Sequence, residues 1–334
     1  MTTPQSMRAL IVQQANGGFT DTQVERPVPR EGEVLVRIHA SGVNPLDTKI
    51  RAGAAAHANH PLPAVLGMDL AGVVERIGSG VTRFRVGDEV YGLAGGVGGL
   101  QGTLAEYAAV DADLLAHKPV NLSMREAAAL PLVVITAWEG LVDRAQVRAG
   151  QKVLVHGGAG GVGHVAVQIA AAFGAQVFAT GSAAQADAIR SFGATPIDHA
   201  TSPVEQYVDR HTGGAGFDLV YDTVGGAVLD ASFKAARMYG GHVVSCLGWG
   251  THALAPLSFR AATYSGVFTL IPMLTGRGRA NHGHILSEAA KLVEAGKLLP
   301  RMDERRFDLG SAHEAHLAVT SRGARGKVVV DVHA

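Results

Sequence analysis

Apolar and polar positions divide the chain into three stretches of different period. In the first third, apolar runs or alternations cover residues 8–13, 33–39, 70–77, 88–91 and 104–110. Pro27, Pro29, Gly32 and Gly78-Ser79-Gly80 stand among them. Closely spaced strands with such turn signals predict a small, partly open barrel. The glycine-rich run 93–102 reads as a long loop and a candidate for mobility. A helix is expected to start at Ser123, because Ser123-Met124-Arg125-Glu126 has the form of a capping box. Pro131 is expected to end or kink it, with a second helical run starting at Thr136.

From Gly150 the period changes. Val153, Leu154 and Val155 read as a buried strand. After a turn, Val162, Val165, Ala166, Ile169, Ala170 and Phe173 recur as one face of a helix. Strands at 176–180, up to Ile197, and at 217–222, 242–247 and 266–270 follow, with a helix at 187–192. Such alternation predicts a parallel sheet with helices on both faces. In the tail, a helix at 285–293 closes at Gly296, Ser311-Ala312-His313-Glu314 forms a second capping box, and 327–332 is a last strand. A βαβ block flanked by β-rich segments predicts an inserted domain, with the tail folding back onto the first and a ligand cleft between the two.

Composition narrows this picture. The 334 residues suffice for two cores, and zero formal net charge argues against nucleic acid or an anionic membrane as partner. The single cysteine, Cys246, can form neither an internal disulfide nor a multi-cysteine zinc site, which points to a reducing, cytoplasmic setting. The first residues lack the apolar core of a signal peptide. Residues 153–186 carry no Asp, Glu, Lys or Arg, but their glycines and change of period argue against a membrane span.

The chemistry centres on Gly158-x-Gly160-x-x-Gly163, set between strand and helix. One glycine permits the turn, one lets the backbone approach a pyrophosphate, and one lets helix and strand pack. Gly161 and Val162 begin the helix, whose N-terminus favours an anion. Enzymes that prefer NAD place Asp or Glu after the second strand. Here residues 178–182 hold no carboxylate, and the next is Asp187. A carboxylate would repel a 2′-phosphate, so its absence favours NADP(H).

With these elements in order, the chain resembles the medium-chain dehydrogenase/reductase superfamily, in particular its zinc-free quinone oxidoreductase branch. The resemblance rests on SGVNPLD (41–47), GMDLAGVV (67–74), GDEVYG (87–92), GTLAEY (102–107), AAALPL (127–132), TAWEGL (136–141), VLVHGGAGGVG (153–163), YDTVGG (221–226) and RGKVVV (325–330). It implies an α/β protein in which a Rossmann doubly wound parallel sheet (125–270) is inserted in a GroES-like β-rich catalytic domain (1–124 and 271–334), and it implies a homodimer. It also implies that Thr136 belongs to the cofactor site. Thr223, Val224, Leu247 and Gly248 would line the nicotinamide ribose, and Phe268 would lie near the carboxamide. A lysine and a tyrosine that hold the 2′-phosphate in that branch are replaced by Gln185 and His199, leaving Ser182 as a neutral donor. Lys327 either approaches the cofactor or is an ordinary surface lysine. Asn44 either donates a hydrogen bond to substrate or ribose, making it the catalytic candidate, or shapes the turn before Pro45.

Zinc-dependent members place a cysteine where Asn44 stands and a histidine where Met68 stands, so no metal is expected. The histidine pairs 57/60, 282/284 and 313/316 read as surface residues, although the 57–60 segment could touch substrate. Quinones and α,β-unsaturated carbonyls suit a site without a Lewis acid, because hydride addition gives a phenolate or a delocalised enolate, and not a localised alkoxide. The expected activity is therefore reduction of a quinone, enone or enal by NADPH. The alternatives are a zinc-dependent alcohol dehydrogenase-type enzyme and a non-catalytic NADPH-binding protein.

Overall fold

The computed structural model describes residues 5–333. Residues 1–4 and 334, the outermost positions of the expected catalytic segments, lie outside the described residues. The chain forms two compact units. One comprises Met1–Leu132, Leu270–Ala295 and Pro300–Ala334; the other comprises Val133–Thr269 and Gly296–Leu299.

In the first unit, β1 (Ser6–Val12) pairs antiparallel with β2 (Phe19–Glu25) and β4 (Ala64–Val65), flanking β3 (Glu33–Val43) in the chain. β3 is the organising strand of a second sheet. It pairs with β5 (Asp69–Ile77) and, through residues 33–37, with β7 (Tyr107–Asp111). β5 continues to β6 (Glu89–Leu93) and then to β8 (Leu115–His117). Val34, Leu35, Val36 and Ile38 of β3 are buried, which is why this long strand sits inside the sheet. At its end Asn44 leads into helix α1 (Pro45–Arg51), where a proline at the first position costs no hydrogen bond.

Two expectations change here. The 93–102 run is packed: residues 93–97 are buried, Gly98 N–H donates to Ala58 O (2.9 Å), and a Cβ on Gly95 would lie 1.8 Å from Gln101 O. Gly95, Gly96 and Gly102 serve close approach. Helix α2 (Met124–Ala128) keeps its capping box, with Ser123 N–H donating to Glu126 Oε2 (2.9 Å). The next helix, α3 (Pro131–Trp138), starts at Pro131 itself, earlier than expected, and continues as a π-helical turn over Glu139–Arg144. Proline begins a helix because the first N–H has no intrahelical acceptor.

In the second unit, β9 (Lys152–His156) runs into helix α4 (Gly161–Ala172). The strands β10 (Gln176–Gly181), β11 (Ala194–Asp198), β12 (Leu219–Asp222), β13 (His242–Ser245) and β14 (Thr263–Gly266) follow. The sheet order is β11-β10-β9-β12-β13-β14, every pair parallel. This is the Rossmann order, reversing between β9 and β12 at the place where such sheets bind ligands. The last strand lies before the expected 266–270. Pairing stops at Gly266, and Val267 and Leu270 are buried beyond it as the chain leaves the sheet.

The tail returns to the first unit. β15 (Phe307–Asp308) pairs with β16 (Val328–Asp331), which pairs antiparallel with the end of β3, Val328 opposite Val43. The expected box at Ser311–Glu314 is not used. Instead Asp308 and Ser311 cap one another, with Asp308 N–H to Ser311 Oγ (2.8 Å) and Ser311 N–H to Asp308 Oδ1 (2.9 Å). Nor are the histidine pairs uniformly on the surface: His282 and His316 are buried, and burial pushes the His316 pKa down to about 3.

Candidate functional site

The glycine loop stands where β9 hands over to α4. Gly157 takes a left-handed conformation (φ 69°). Its N–H donates to Thr180 Oγ1 (3.1 Å), and Gly158 N–H donates to Thr180 O (2.9 Å), so one residue at the end of β10 holds the turn twice. A Cβ on Gly158 would lie 2.4 Å from the Ala179 Cβ, and one on Gly163 would lie 2.0 Å from Gly157 O. Gly160 caps α4, and Gly160 and Gly161 are exposed. The result is a bare backbone cradle at a helix N-terminus, whose first N–H groups have no intrahelical acceptor. A dinucleotide pyrophosphate fits it by charge and by the lack of side chains.

Because all the strands are parallel, Ser182, His199, Thr223, Val224, Leu247, Gly248 and Phe268 follow strand ends at the same edge. Thr223 Oγ1 donates to His156 O (2.6 Å), and a Cβ on Gly157 would lie 3.1 Å from both Thr223 Oγ1 and Val224 Cγ2. A Cβ on Gly225 would lie 2.6 Å from Leu247 O, which brings the 223–225 turn against Leu247. Towards the other side, His199 N–H donates to Gly181 O (3.2 Å), while Ser182 N–H donates to Gln185 Oε1 (3.0 Å). Thr136 is buried in α3, where its carbonyl accepts from Tyr221 Oη (2.6 Å). Phe268 meets Trp249 edge to face, with ring centroids 5.9 Å apart. Arg190 is paired with Asp187 (2.6 Å).

Beneath this edge lie groups that motif reading missed. Asp222 is fully buried, and its carboxylate accepts from Val224 N–H, Gly225 N–H and Ser245 Oγ. His156 is buried with Nδ1 3.2 Å from Thr180 Oγ1; burial pushes its pKa down to about 4, against the pull of Asp222, so it is neutral. An acidic residue closing an apolar strand was the signal available for Asp222.

The first unit holds a second cluster. Asn44, Asp47, Asp69 and Lys327 are all buried. The Lys327 ammonium donates to Asn44 Oδ1 and to Val43 O (3.3 Å) and lies 4.0 Å from Asp69 Oδ2. Asn44 Nδ2 donates to that same Asp69 oxygen (2.8 Å), and Leu132 N–H donates to the other (2.9 Å). Asn44 N–H donates to Asp47 Oδ2 (2.7 Å). Burial raises the Asp69 pKa to about 6, opposed by Lys327, Asn44 and Leu132. It raises Asp47 to about 7, with the charge of Asp69 adding to the effect. Burial pushes Lys327 downward against the attraction of both carboxylates. Lys327 is therefore not a surface lysine. The Asn44 amide has its orientation fixed, oxygen to the ammonium and nitrogen to the carboxylate.

This donor set does not suit zinc. Met68 is buried, a thioether is a poor zinc ligand, and the Asn44 oxygen already faces a cation. Among the described residues no three His, Cys, Asp or Glu side chains are grouped to hold a metal ion. The 51–63 loop, with Gln13 and Gln14, borders an open cavity of about 490 Å³ that His60 and Asn59 line.

Known proteins match both units. Residues 30–120 match the alcohol dehydrogenase GroES-like domain, and residues 192–330 match the zinc-binding dehydrogenase family. A 2-methylene-furan-3-one reductase of Solanum lycopersicum is 37% identical over 318 residues, covering 93% of this chain and 74% of that protein. The chain belongs to the medium-chain dehydrogenase/reductase superfamily. An NADPH-dependent alkenal/one oxidoreductase of Arabidopsis thaliana chloroplasts is 35% identical over 338 residues, 98% of this chain and 80% of that protein. The crystal structure of an alcohol dehydrogenase superfamily protein from Novosphingobium aromaticivorans is 60% identical, with a TM-score of 0.96, over 98% of this chain and 100% of that one. As a member of this superfamily the chain is an oxidoreductase with a GroES-like and a Rossmann domain. Among the described residues no helix is long and apolar enough to cross a membrane.

Proposed function

We propose that this medium-chain dehydrogenase/reductase reduces conjugated carbonyl acceptors, an enone, an enal or a quinone, with NADPH and without zinc. The observation that carries the reading is the Lys327 ammonium bound to Asn44 where a metal ligand would stand. Without a Lewis acid, an acceptor whose product spreads its charge is favoured over a simple ketone. The similarity to an alkenal/one oxidoreductase supports the same choice.

The parts divide as follows. The 157–163 cradle holds the pyrophosphate, and Thr223, Val224, Leu247 and Gly248 border the nicotinamide ribose. Ser182, whose N–H is tied to Gln185, leaves the 2′-phosphate without a repelling carboxylate. When bound, NADPH supplies the hydride. The chain supplies positioning and exclusion of water, and the product takes its proton from solvent. The second unit is the dinucleotide-binding domain and the first the catalytic domain, in a cytoplasmic homodimer. Sizing with light scattering checks the dimer.

The test is oxidation of NADPH and NADH with a panel of enones, enals, quinones and simple ketones, together with metal analysis of untagged protein. Turnover of conjugated acceptors with substoichiometric zinc is the expected result. Turnover confined to ketones, or one zinc per chain, overturns the proposal.

A further inference from the structure

We propose that Asp222 is a positioning residue for the nicotinamide end of the dinucleotide site, acting through Ser245; the inference rests on the NADPH reading above. Asp222 and Ser245 are the last residues of β12 and β13 and stand opposite each other in the parallel ladder. Asp222 Oδ1 accepts from Val224 N–H (3.0 Å) and Gly225 N–H (2.9 Å). Asp222 Oδ2 accepts from Gly225 N–H (3.1 Å) and from Ser245 Oγ (2.7 Å). Ser245 Oγ in turn accepts from Leu247 N–H (3.1 Å). One carboxylate therefore fixes two separate turns, 223–225 and 246–248, in one register.

Those turns need a holder. Gly225 and Gly226 are consecutive left-handed residues (φ 80° and 57°), and Gly225 packs so closely on Leu247 O that no Cβ fits. Val224 at the tip is half exposed, so core packing does not hold it. A fully buried carboxylate met by donors from the 223–225 turn and by Ser245 Oγ is costly unless those donors stay in place. The charge thus makes both turns rigid before a ligand arrives, which lowers the ordering cost of binding.

A purely structural residue would weaken every ligand of this unit alike. A positioning residue for these turns weakens only ligands that reach them. Fluorescence titration of Asp222→Asn and Ser245→Ala with NADPH, and competition by 2′,5′-ADP, separates the two. The 2′,5′-ADP probe carries the adenosine and phosphate end but no nicotinamide.

For Asp222→Asn the NADPH Kd is expected to rise about tenfold, the effect of weakening hydrogen bonds to a charged acceptor. For Ser245→Ala it is expected to rise about threefold. The 2′,5′-ADP Kd stays within about twofold of wild type in both, and the double variant is no weaker than Asp222→Asn alone. If Asp222→Asn does not fold, Ser245→Ala decides by the same criterion. An unchanged NADPH Kd, or an equal loss for both ligands, overturns the inference while leaving the proposed function standing. Wild-type protein that binds neither NADPH nor NADH overturns the proposed function and this inference with it.

Discussion

Replacing Lys327 by Met tests the buried cluster of the first unit. The side chains are similar in length, so the change removes charge more than volume. The ammonium now meets Asn44 Oδ1 and Val43 O and stands 4.0 Å from Asp69 Oδ2. Without it, Asp69 keeps its bonds from Asn44 Nδ2 and Leu132 N–H but faces no cation there. Breaking a buried pair on one side typically costs about 3–5 kcal/mol. The variant can escape part of this by protonating Asp69, whose pKa, already near 6, must rise when its cation is lost.

The sign follows from linkage. A carboxyl with a raised folded pKa binds its proton more tightly in the native state, so its contribution to stability falls as pH rises from the unfolded value towards the folded one. In the variant that fall extends further upward. The difference between wild type and Lys327→Met should therefore grow by about 1.4 kcal/mol for each pH unit above 6, until the variant's own Asp69 pKa is passed. A loss of about 1–2 kcal/mol at pH 6 and about 3–5 kcal/mol at pH 8 is expected. Trp138 and Trp249 both lie in the second unit, so tryptophan fluorescence would miss the effect. Urea unfolding followed by circular dichroism should be combined with hydrogen exchange on peptides covering 33–43 and 328–331. A loss below about 1 kcal/mol at pH 8, or an equal loss at both pH values, would refute the electrostatic account.

Other perturbations probe the second unit. Tyr221→Phe removes the hydroxyl that donates to Thr136 O (2.6 Å) inside the core; a destabilisation of about 1–2 kcal/mol is expected, read from Trp138 fluorescence in urea. Gly163→Ala puts a Cβ 2.0 Å from Gly157 O; NADPH affinity should fall at least about tenfold and stability by about 1–3 kcal/mol, by titration and thermal melting. Ser182→Asp introduces a carboxylate after β10, and kcat/KM for NADPH should fall at least about tenfold relative to NADH. Asp303 is held down to about 2, first by its hydrogen bonds to Arg305. Its depressed pKa contributes stability that is present above about pH 4 and lost as pH falls towards 2, so Asp303→Asn should flatten the acid limb of a Tm–pH profile.

The dinucleotide loop was legible because its information is local: three glycines, a strand and a helix within some twenty residues carry the whole argument. The parallel sheet followed from alternation, its Rossmann class from the family resemblance, and the return of the tail from its β-rich pattern. What escaped were relations between distant residues. Asp69 and Lys327 look like ordinary charged residues until β16 closes beside β3. His316 reads as a surface residue until Phe19 packs edge-on against its ring at 5.0 Å. Asp222 was quoted within a motif without a role, because its acceptors' donors come partly from β13. Pro131 misled for a different reason. Proline both ends and begins helices, and the choice depends on whether its missing N–H would have been used.

The placement of β16 also bears on how the protein is made. During synthesis β3 leaves the ribosome long before its neighbour Val328–Asp331 and the cation for Asp69. The second unit draws its strands from one continuous stretch, Val133–Thr269, and has all of them in hand much sooner. The first unit must wait with one edge of the end of β3 uncovered and Asp69 without its cation. A chain cut short just before Lys327 would therefore leave the end of β3 without its β16 neighbour and Asp69 without its cation.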